Sequence, residues 1–165
     1  LRRHYGARLD AARQSVVIVT PYLFPPRWLI ARLHQAMIRG VRVEVIMPKS
    51  TDHRIVDSIN RSYAACLNEL GASCFFTEGM NHAKAMLVDR AVGVIGSQNF
   101  DRLSFEWNIE AGVFFDDPAM VRDLAAIIDA WRAEALPAYR TGIRFRWYDI
   151  PMAFFLRLFG LVPVE

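Results

Sequence analysis

Lysine is nearly absent from this chain: of the 20 basic residues only Lys49 and Lys84 are lysine, and eighteen are arginine. Arginine is the side chain best suited to bidentate phosphate contacts. Cysteine is as scarce, with Cys66 and Cys74 at no metal-ligand spacing, which excludes a disulfide framework or a zinc cluster. Their surroundings read as a helix and a strand, so reduced, buried thiols in a cytoplasmic setting are expected. There is no internal repeat, no low-complexity segment, no initiator methionine and no signal-peptide pattern. Leu1, Tyr5, Leu9 and Ala12 repeat at helical spacing from the first residue, so the chain reads as a piece of a longer protein. The apolar stretch Ile150 to Phe159 is too short to cross a bilayer. As a helix it would reach ~15 Å, half of the ~30 Å required.

What is present suits one domain with a sizeable core: 165 residues, 53% of them hydrophobic. The net charge of +3 fits an anionic membrane surface or nucleic acid without choosing between them. Ser15 to Thr20 is a β-branched run ended by Pro21, hence a buried strand. Leu29, Leu33, Ala36 and Met37 form a helical stripe closed by Gly40, and Val41 to Met47 is a strand stopped by Pro48. A second helix is capped by Ser50, Thr51 or Asp52, with Ile55, Ile59, Tyr63, Leu67 and Leu70 inward, before Gly71. This half is βαβ-like with a parallel core. Candidate strands follow at Ser73 to Thr77, Ala83 to Val88, Ala91 to Ile95 and Ile109 to Phe115, with links short enough for antiparallel pairing. Asp117-Pro118 then caps a helix with Val121, Leu124, Ile128, Trp131 and Ala135 inward. The expected class is α/β, a mixed central β-sheet flanked by helices.

The chemistry is concentrated in Asn81-His82-Ala83-Lys84, with Asp89 and then Gly96-Ser97-Gln98-Asn99 downstream. Residues two apart on a strand share a side, so His82 and Lys84 present an imidazole and an ammonium to one phosphate. That pattern resembles the HKD motif of the phospholipase D superfamily. Asn99-Phe100-Asp101-Arg102-Leu103-Ser104-Phe105-Glu106-Trp107-Asn108-Ile109-Glu110 resembles the segment that follows it in bacterial cardiolipin synthases. Val19-Thr20-Pro21-Tyr22-Leu23-Phe24-Pro25 and the stretch from Ser50 to Tyr63 resemble the C-terminal half of the same enzymes. The similarity runs from about Ser15 to Trp131. It departs where the family often has arginine directly before the serine: here Leu103 precedes Ser104 and Arg102 lies one place earlier.

The resemblance implies a phospholipase D-like α-β-α domain over residues 1–139 and a covalent phosphohistidine at His82, with no metal or other cofactor. Lys84 and Asn99 would hold the non-bridging oxygens, with Ser97 adding a hydroxyl donor. Glu110 is the candidate to orient the imidazole, though opening a strand it could equally face water. Asp89 is expected to anchor the motif's loop rather than touch phosphate. Tyr22 and His53 are weaker headgroup candidates: Tyr22 is either a pocket wall or a core residue, and Asp52-His53 either a headgroup contact or the start of a helix.

One His-x-Lys is half a site, because the leaving group needs a general acid and the superfamily takes it from a second copy of the motif. The expected partner is a second motif-bearing half, on a missing N-terminal part of the parent or in a homodimer. The arginine- and aromatic-rich tail, residues 140–165, reads as a membrane-surface helix or as packing on the domain. Together these point to a phosphatidyltransferase acting on anionic phospholipid at the cytoplasmic side of a bacterial membrane, with cardiolipin formed from phosphatidylglycerol. A phospholipase D hydrolase or a dimeric superfamily nuclease is the enzymatic alternative, nucleic acid being the less favoured substrate. A catalytically silent lipid-binding half is the alternative of another class.

Overall fold

The computed structural model describes residues 1–138, so the expected membrane-surface tail, residues 140–165, lies outside the described residues. In chain order the elements are α1 (Arg2–Ala11), β1 (Ser15–Val19), β2 (Leu23–Phe24), α2 (Arg27–Ile38), β3 (Arg42–Pro48), α3 (Arg54–Glu69) and β4 (Ser73–Thr77). They continue with β5 (Ala85–Val88), β6 (Val92–Gly96), β7 (Phe100–Asp101), α4 (Arg102–Glu106), β8 (Gly112–Phe115), α5 (Pro118–Glu134) and β9 (Leu136–Pro137).

Seven strands form one mixed sheet in the order β8-β6-β5-β1-β3-β4-β9, and β2 and β7 form a separate two-stranded parallel ribbon. β1, β3 and β4 run parallel through the α2 and α3 crossovers, whereas β5 and β6 pair antiparallel through a short hairpin and β8 returns antiparallel to β6 after a longer segment that holds β7 and α4. The period-2 alternation of each strand is visible in its burial. Val16, Ile18, Val43, Val45, Cys74, Phe76, Met86 and Val88 pack with α1, α2 and α3 on one face. Val19, Ile46, Phe75, Ala85 and Leu87 pack with Val121, Leu124, Ala125 and Ile128 of α5 on the other. The result is the mixed sheet flanked by helices that the sequence pattern implied. Both thiols are free and buried, and burial pushes the Cys74 thiol up to about 12.

Local chemistry corrects several boundaries. The strand expected from Ala83 begins at Ala85, because Asn81 Oδ1 accepts the Ala83 amide at 3.0 Å and turns the chain just before the sheet. The strand expected from Ile109 begins at Gly112, and Ile109 is fully exposed. His53, not Ser50, Thr51 or Asp52, is the N-cap of α3, and it makes no side-chain cap. Asp57 instead reaches back from the first turn to the Thr51 amide and hydroxyl, both at 2.7 Å. Ile55, expected inward, is exposed, while Asp57, Ser58, Asn60 and Ser62 are buried on the same helix. Asp117 caps α5 as expected, accepting the Ala119 and Met120 amides at 3.0 Å.

Asp89 closes the β5–β6 hairpin at positive φ (53°). Its carboxylate accepts three backbone amides at the entry to β1, from Arg13 (2.8 Å), Gln14 (2.7 Å) and Ser15 (2.8 Å). Partial desolvation opposes ionisation, but these three donors outweigh it and hold the carboxyl below its usual range. The unfolded chain therefore takes up the Asp89 proton first as pH falls. The stability from this clamp is complete above the ordinary carboxylate value and is lost as pH drops through the lower folded value. We expect Asp89→Ala to destabilise by about 2–3 kcal/mol at neutral pH, having removed three charge-assisted bonds. Urea unfolding of Asp89→Asn should show a weaker loss of stability between pH 5 and pH 3 than the parent; an unchanged pH profile would contradict the clamp.

Candidate active site

The antiparallel register sets Ala85 opposite Val19, Ile95 opposite Ala85, and Gly112 opposite Gly96. The segment entering β5 thus lies at the same end of the sheet as the segments leaving β1, β3 and β6 and entering β8. Those segments carry Tyr22, Asp52, His82 with Lys84, Ser97 with Asn99, and Glu110. Residues spread over almost ninety positions meet at the C-terminal end of the parallel strands, the usual place for a site in an α/β sheet.

His82 is exposed, on the turn that Asn81 makes. Lys84 Nζ stands 3.1 Å from His82 Nδ1 and 3.2 Å from Nε2, and donates to the His82 carbonyl at 2.8 Å. An ammonium only donates, so it pairs with a ring nitrogen that presents its lone pair. Desolvation pushes the Lys84 ammonium down, against the opposing pull of Glu110 and Asp101. The Tyr22 ring meets the imidazole edge-on, centroids 6.0 Å apart, and its hydroxyl donates to Asp52 Oδ1 at 3.0 Å. Desolvation and the Asp52 carboxylate raise the phenol, while the hydrogen bond from Tyr22 lowers Asp52.

Ser97 Oγ donates to Glu110 Oε2 at 2.5 Å and accepts the Ala111 amide at 3.1 Å. Glu110 Oε1 accepts from Asn108 at 3.3 Å. Desolvation opposes ionisation of Glu110, but bonds from Ser97, Ser104 and Asn108, with the nearby Lys84 charge, hold it below its usual range. Its hydrogen-bond partners are these groups rather than the imidazole it was expected to orient. Asn99 accepts nothing at its side-chain oxygen, which is buried and without a partner among the described residues. Its backbone N–H donates to Ser104 Oγ at 3.1 Å.

Asp89 stands apart from this group. β5 lies between it and Lys84, so at ~3.3 Å per residue the two Cα atoms are about 16 Å apart. His53 lies beside Asp52, Nε2 to Oδ2 3.5 Å, at the rim. Among the described residues, no group of three or more His, Cys, Asp or Glu side chains is placed to hold a metal ion.

Several supporting residues were not foreseen. Asn60, fully buried in α3, accepts the Leu23 amide and donates to the Pro21 carbonyl, both at 2.8 Å, and so fixes the turn bearing Tyr22. Thr20 Oγ1 donates to the Tyr22 carbonyl at 2.9 Å and accepts the Phe100 amide at 3.1 Å, tying that turn to the segment after Asn99. Gln98 is buried and its amide donates to the Tyr5 hydroxyl. Asn60, between Ile59 and Tyr63 on an otherwise apolar stripe, was the one visible signal of this set. Arg102, the displaced arginine, pairs with Glu106 at 2.7 Å, and Leu103 in its place is exposed.

Residues 5–132 match the family described as cardiolipin synthase, PLD-like domain. Cardiolipin synthase A of Pseudomonas aeruginosa is 34% identical over 140 residues, covering 82% of this chain and 29% of that protein. Cardiolipin synthase of Listeria monocytogenes is 31% identical over 141 residues, 85% of this chain and again 29% of the relative. The chain thus spans under a third of the length of the curated relatives it matches. In fold it is similar to the phospholipase D family member Nuc of Salmonella typhimurium, with a TM-score of 0.68, 20% identity, and 82% and 89% of the two chains covered. It is also similar to phosphatidylserine synthase of Haemophilus influenzae, with a TM-score of 0.67, 17% identity, and 94% and 41% covered.

A Cβ on Gly96 would meet Gln98 Oε1 at 2.2 Å, the Ala111 carbonyl at 2.6 Å and Gly112 Cα at 2.8 Å, and two of these are backbone that cannot swing away. Gly96→Ala should therefore push β8 and the Ser97–Glu110 pair aside. A loss of about 1–3 kcal/mol is expected in chemical denaturation; parent-like stability would show that the strands are not held this closely.

Proposed function

The chain belongs to the PLD-like domain family of cardiolipin synthases, and on that footing we propose that it is one motif-bearing half of a phosphatidyltransferase forming cardiolipin from phosphatidylglycerol. The observation that carries this is the contact between an exposed His82 and Lys84 at the sheet end where Ser97, Asn99 and Glu110 converge. An imidazole lone pair beside a phosphate-binding ammonium is what an in-line displacement at phosphorus requires.

In the first step a ring nitrogen of His82 attacks the phosphodiester phosphorus, a P–N bond forms, and the glycerol oxygen leaves with a proton. In the second, the hydroxyl of another phosphatidylglycerol loses its proton and attacks the phosphorus, restoring the imidazole. Charge on the non-bridging oxygens is met by Lys84 and by the Asn99 amide. Ser97 turns its hydroxyl between Glu110 and phosphate. Glu110 keeps Lys84 charged in a partly desolvated place and aligns Ser97, acting as a positioning residue. Asp89 holds the β5–β6 hairpin that fixes the motif's far end, and Tyr22 walls the imidazole on its open side, with His53 at the headgroup rim.

Among the described residues nothing within reach of His82 is placed to protonate the leaving oxygen, and in this proposal the general acid comes from a second motif-bearing half. The relatives' greater length favours the same polypeptide as its source, and a two-fold pair of these chains would serve as well. With anionic phospholipid as substrate, the proposed working place is a membrane surface, on its cytoplasmic side in a bacterium. No helix among the described residues is long and apolar enough to cross one.

The test is mass spectrometry of lipid products from phosphatidylglycerol micelles, with the chain and its partner half beside the His82→Ala variant. Cardiolipin that disappears with His82 supports transfer; phosphatidic acid in its place would make the enzyme a hydrolase. His82→Ala should lower turnover by about 10⁴-fold or more, and Lys84→Ala by about 10²–10³-fold. Glu110→Gln should cut kcat by about tenfold with KM little changed, and equal rates for that variant and the parent would remove Glu110 from the site. The Glu110 carboxyl is held low, so its contribution should persist through neutral pH and fade only below the ordinary carboxylate range.

A further inference from the structure

An attack that forms a P–N bond leaves the imidazole charged. The lone pair of one ring nitrogen goes to phosphorus, the ester oxygen departs with its bonding pair, and the other ring nitrogen keeps its proton, so His82 passes from neutral to cationic. That developing charge calls for a preorganised negative counterpart. Glu110 and Asp101 are engaged elsewhere. Glu110 takes Ser97 at 2.5 Å and Asn108 at 3.3 Å, and Asp101 caps α4 by accepting the Ser104 amide at 2.7 Å. Both pull on the Lys84 ammonium. Asp52 is placed differently. Its Oδ1 accepts the Tyr22 hydroxyl at 3.0 Å, and the Tyr22 ring meets the imidazole at 76° with centroids 6.0 Å apart. Chiefly the bond from Tyr22, and to a smaller extent the His53 and His82 rings, hold the Asp52 carboxyl below its usual range, so it is ionised at neutral pH.

Both ends of this contact are fixed by α3. Asp57 and Asn60, three residues apart on the helix and buried, reach the two loops that meet here. Asp57 Oδ1 accepts the Thr51 amide and hydroxyl, both at 2.7 Å, one residue before Asp52. Asn60 accepts the Leu23 amide and donates to the Pro21 carbonyl, both at 2.8 Å, one residue to either side of Tyr22. One helix therefore sets the phenol against the carboxylate. A phenol that donates to a carboxylate is polarised by it, and an electron-rich ring within about 6 Å attracts a cation. Asp52 thus reaches the imidazole through Tyr22 as well as through space.

We propose that Asp52 is a positioning residue that, through Tyr22, stabilises the positive charge His82 gains as the phosphohistidine forms, in the place expected for Glu110. The inference rests on His82 as nucleophile, proposed above, and not on the identity of the lipid. Asp52 works through the tyrosine, whose ring stands against the nucleophile, and the bond between their side chains is what couples the two.

The test is rapid mixing of the full chain with bis(p-nitrophenyl) phosphate, whose leaving group needs neither a second half nor a lipid surface. Asp52→Asn should lower the maximal rate of the His82-dependent p-nitrophenolate burst by about three- to tenfold, with the half-saturating substrate concentration and the circular dichroism spectrum unchanged. Tyr22→Phe, which keeps the ring and deletes the bond to Asp52, should lose a similar factor in the parent and almost nothing when Asp52→Asn is already present. Asp52→Glu, which keeps the charge, should retain most of the rate, and Asp123→Asn, exposed on α5, should leave it unaltered. An unchanged burst in Asp52→Asn, or fully additive losses for the two variants, would overturn the inference. So would a rise in the half-saturating concentration at constant maximal rate, which would make the pair a substrate contact instead. Absence of a burst from the parent would remove the nucleophile and this inference with it. A chain that makes no cardiolipin but shows the Asp52-dependent burst would remove the proposed transferase and support the role of Asp52.

Discussion

The antiparallel pairing of β5 on β1, with Ala85 opposite Val19, is the constraint on which the rest depends. β1 is parallel to β3 on its other side, so its C-terminal end collects the loops of a parallel sheet. Reversing β5 there brings in a chain entering the sheet rather than leaving it. That entry carries His82 and Lys84. Register then propagates outward, Ile95 opposite Ala85 and Gly112 opposite Gly96, and delivers Ser97, Asn99 and Glu110 to the same edge. A slip of one residue in β5 would exchange its two faces and send Met86 and Val88 under α5. Asp89 guards against that slip by bonding the hairpin to the amides that open β1.

The electrostatics of the site follow from how little of it is buried. Lys84 is desolvated enough for its ammonium to be pushed down, and Glu110 and Asp101 restrain that fall. A charge kept in a partly dry place, beside the phosphate proposed to bind there, would contribute more to a transition state than the same charge in water. The exposed imidazole has no general acid beside it among the described residues, which agrees with the proposal that a second half completes the site. Glu110 shows how context redirects a side chain. Its position at the mouth of β8 was legible, yet its carboxylate engages the serine and the backbone-anchored loop around it instead of the imidazole.

Much of this was visible in the sequence, and for identifiable reasons. Strands such as Ser15–Val19 and Ser73–Thr77 are β-branched or aromatic runs bounded by turn residues, and α5 has Asp117-Pro118 before an apolar stripe, so period and cap agree. The pairing of His82 with Lys84 was legible because two residues at that spacing must be neighbours in any extended chain. What stayed hidden depended on tertiary partners. The two-residue ribbon of β2 and β7 has no period to detect. The inward turn of Asn60 on α3 is set by backbone groups of a distant loop, and that of Asp57, where Ile55 faces water, by the Thr51 amide and hydroxyl just before the helix. The contact of Tyr22 with His82, sixty residues apart, depends on Thr20 and Asn60 holding its turn.

A half-site lacking its general acid should still attack a phosphodiester whose leaving group needs no proton, which isolates the nucleophile from the partner. The most direct test is rapid mixing of the chain with bis(p-nitrophenyl) phosphate, followed by mass spectrometry of the peptide that contains His82. The account predicts a burst of p-nitrophenolate and a nitrophenyl phosphoryl adduct on His82, both absent from His82→Ala. A burst that survives His82→Ala, or an adduct on a different residue, would contradict it.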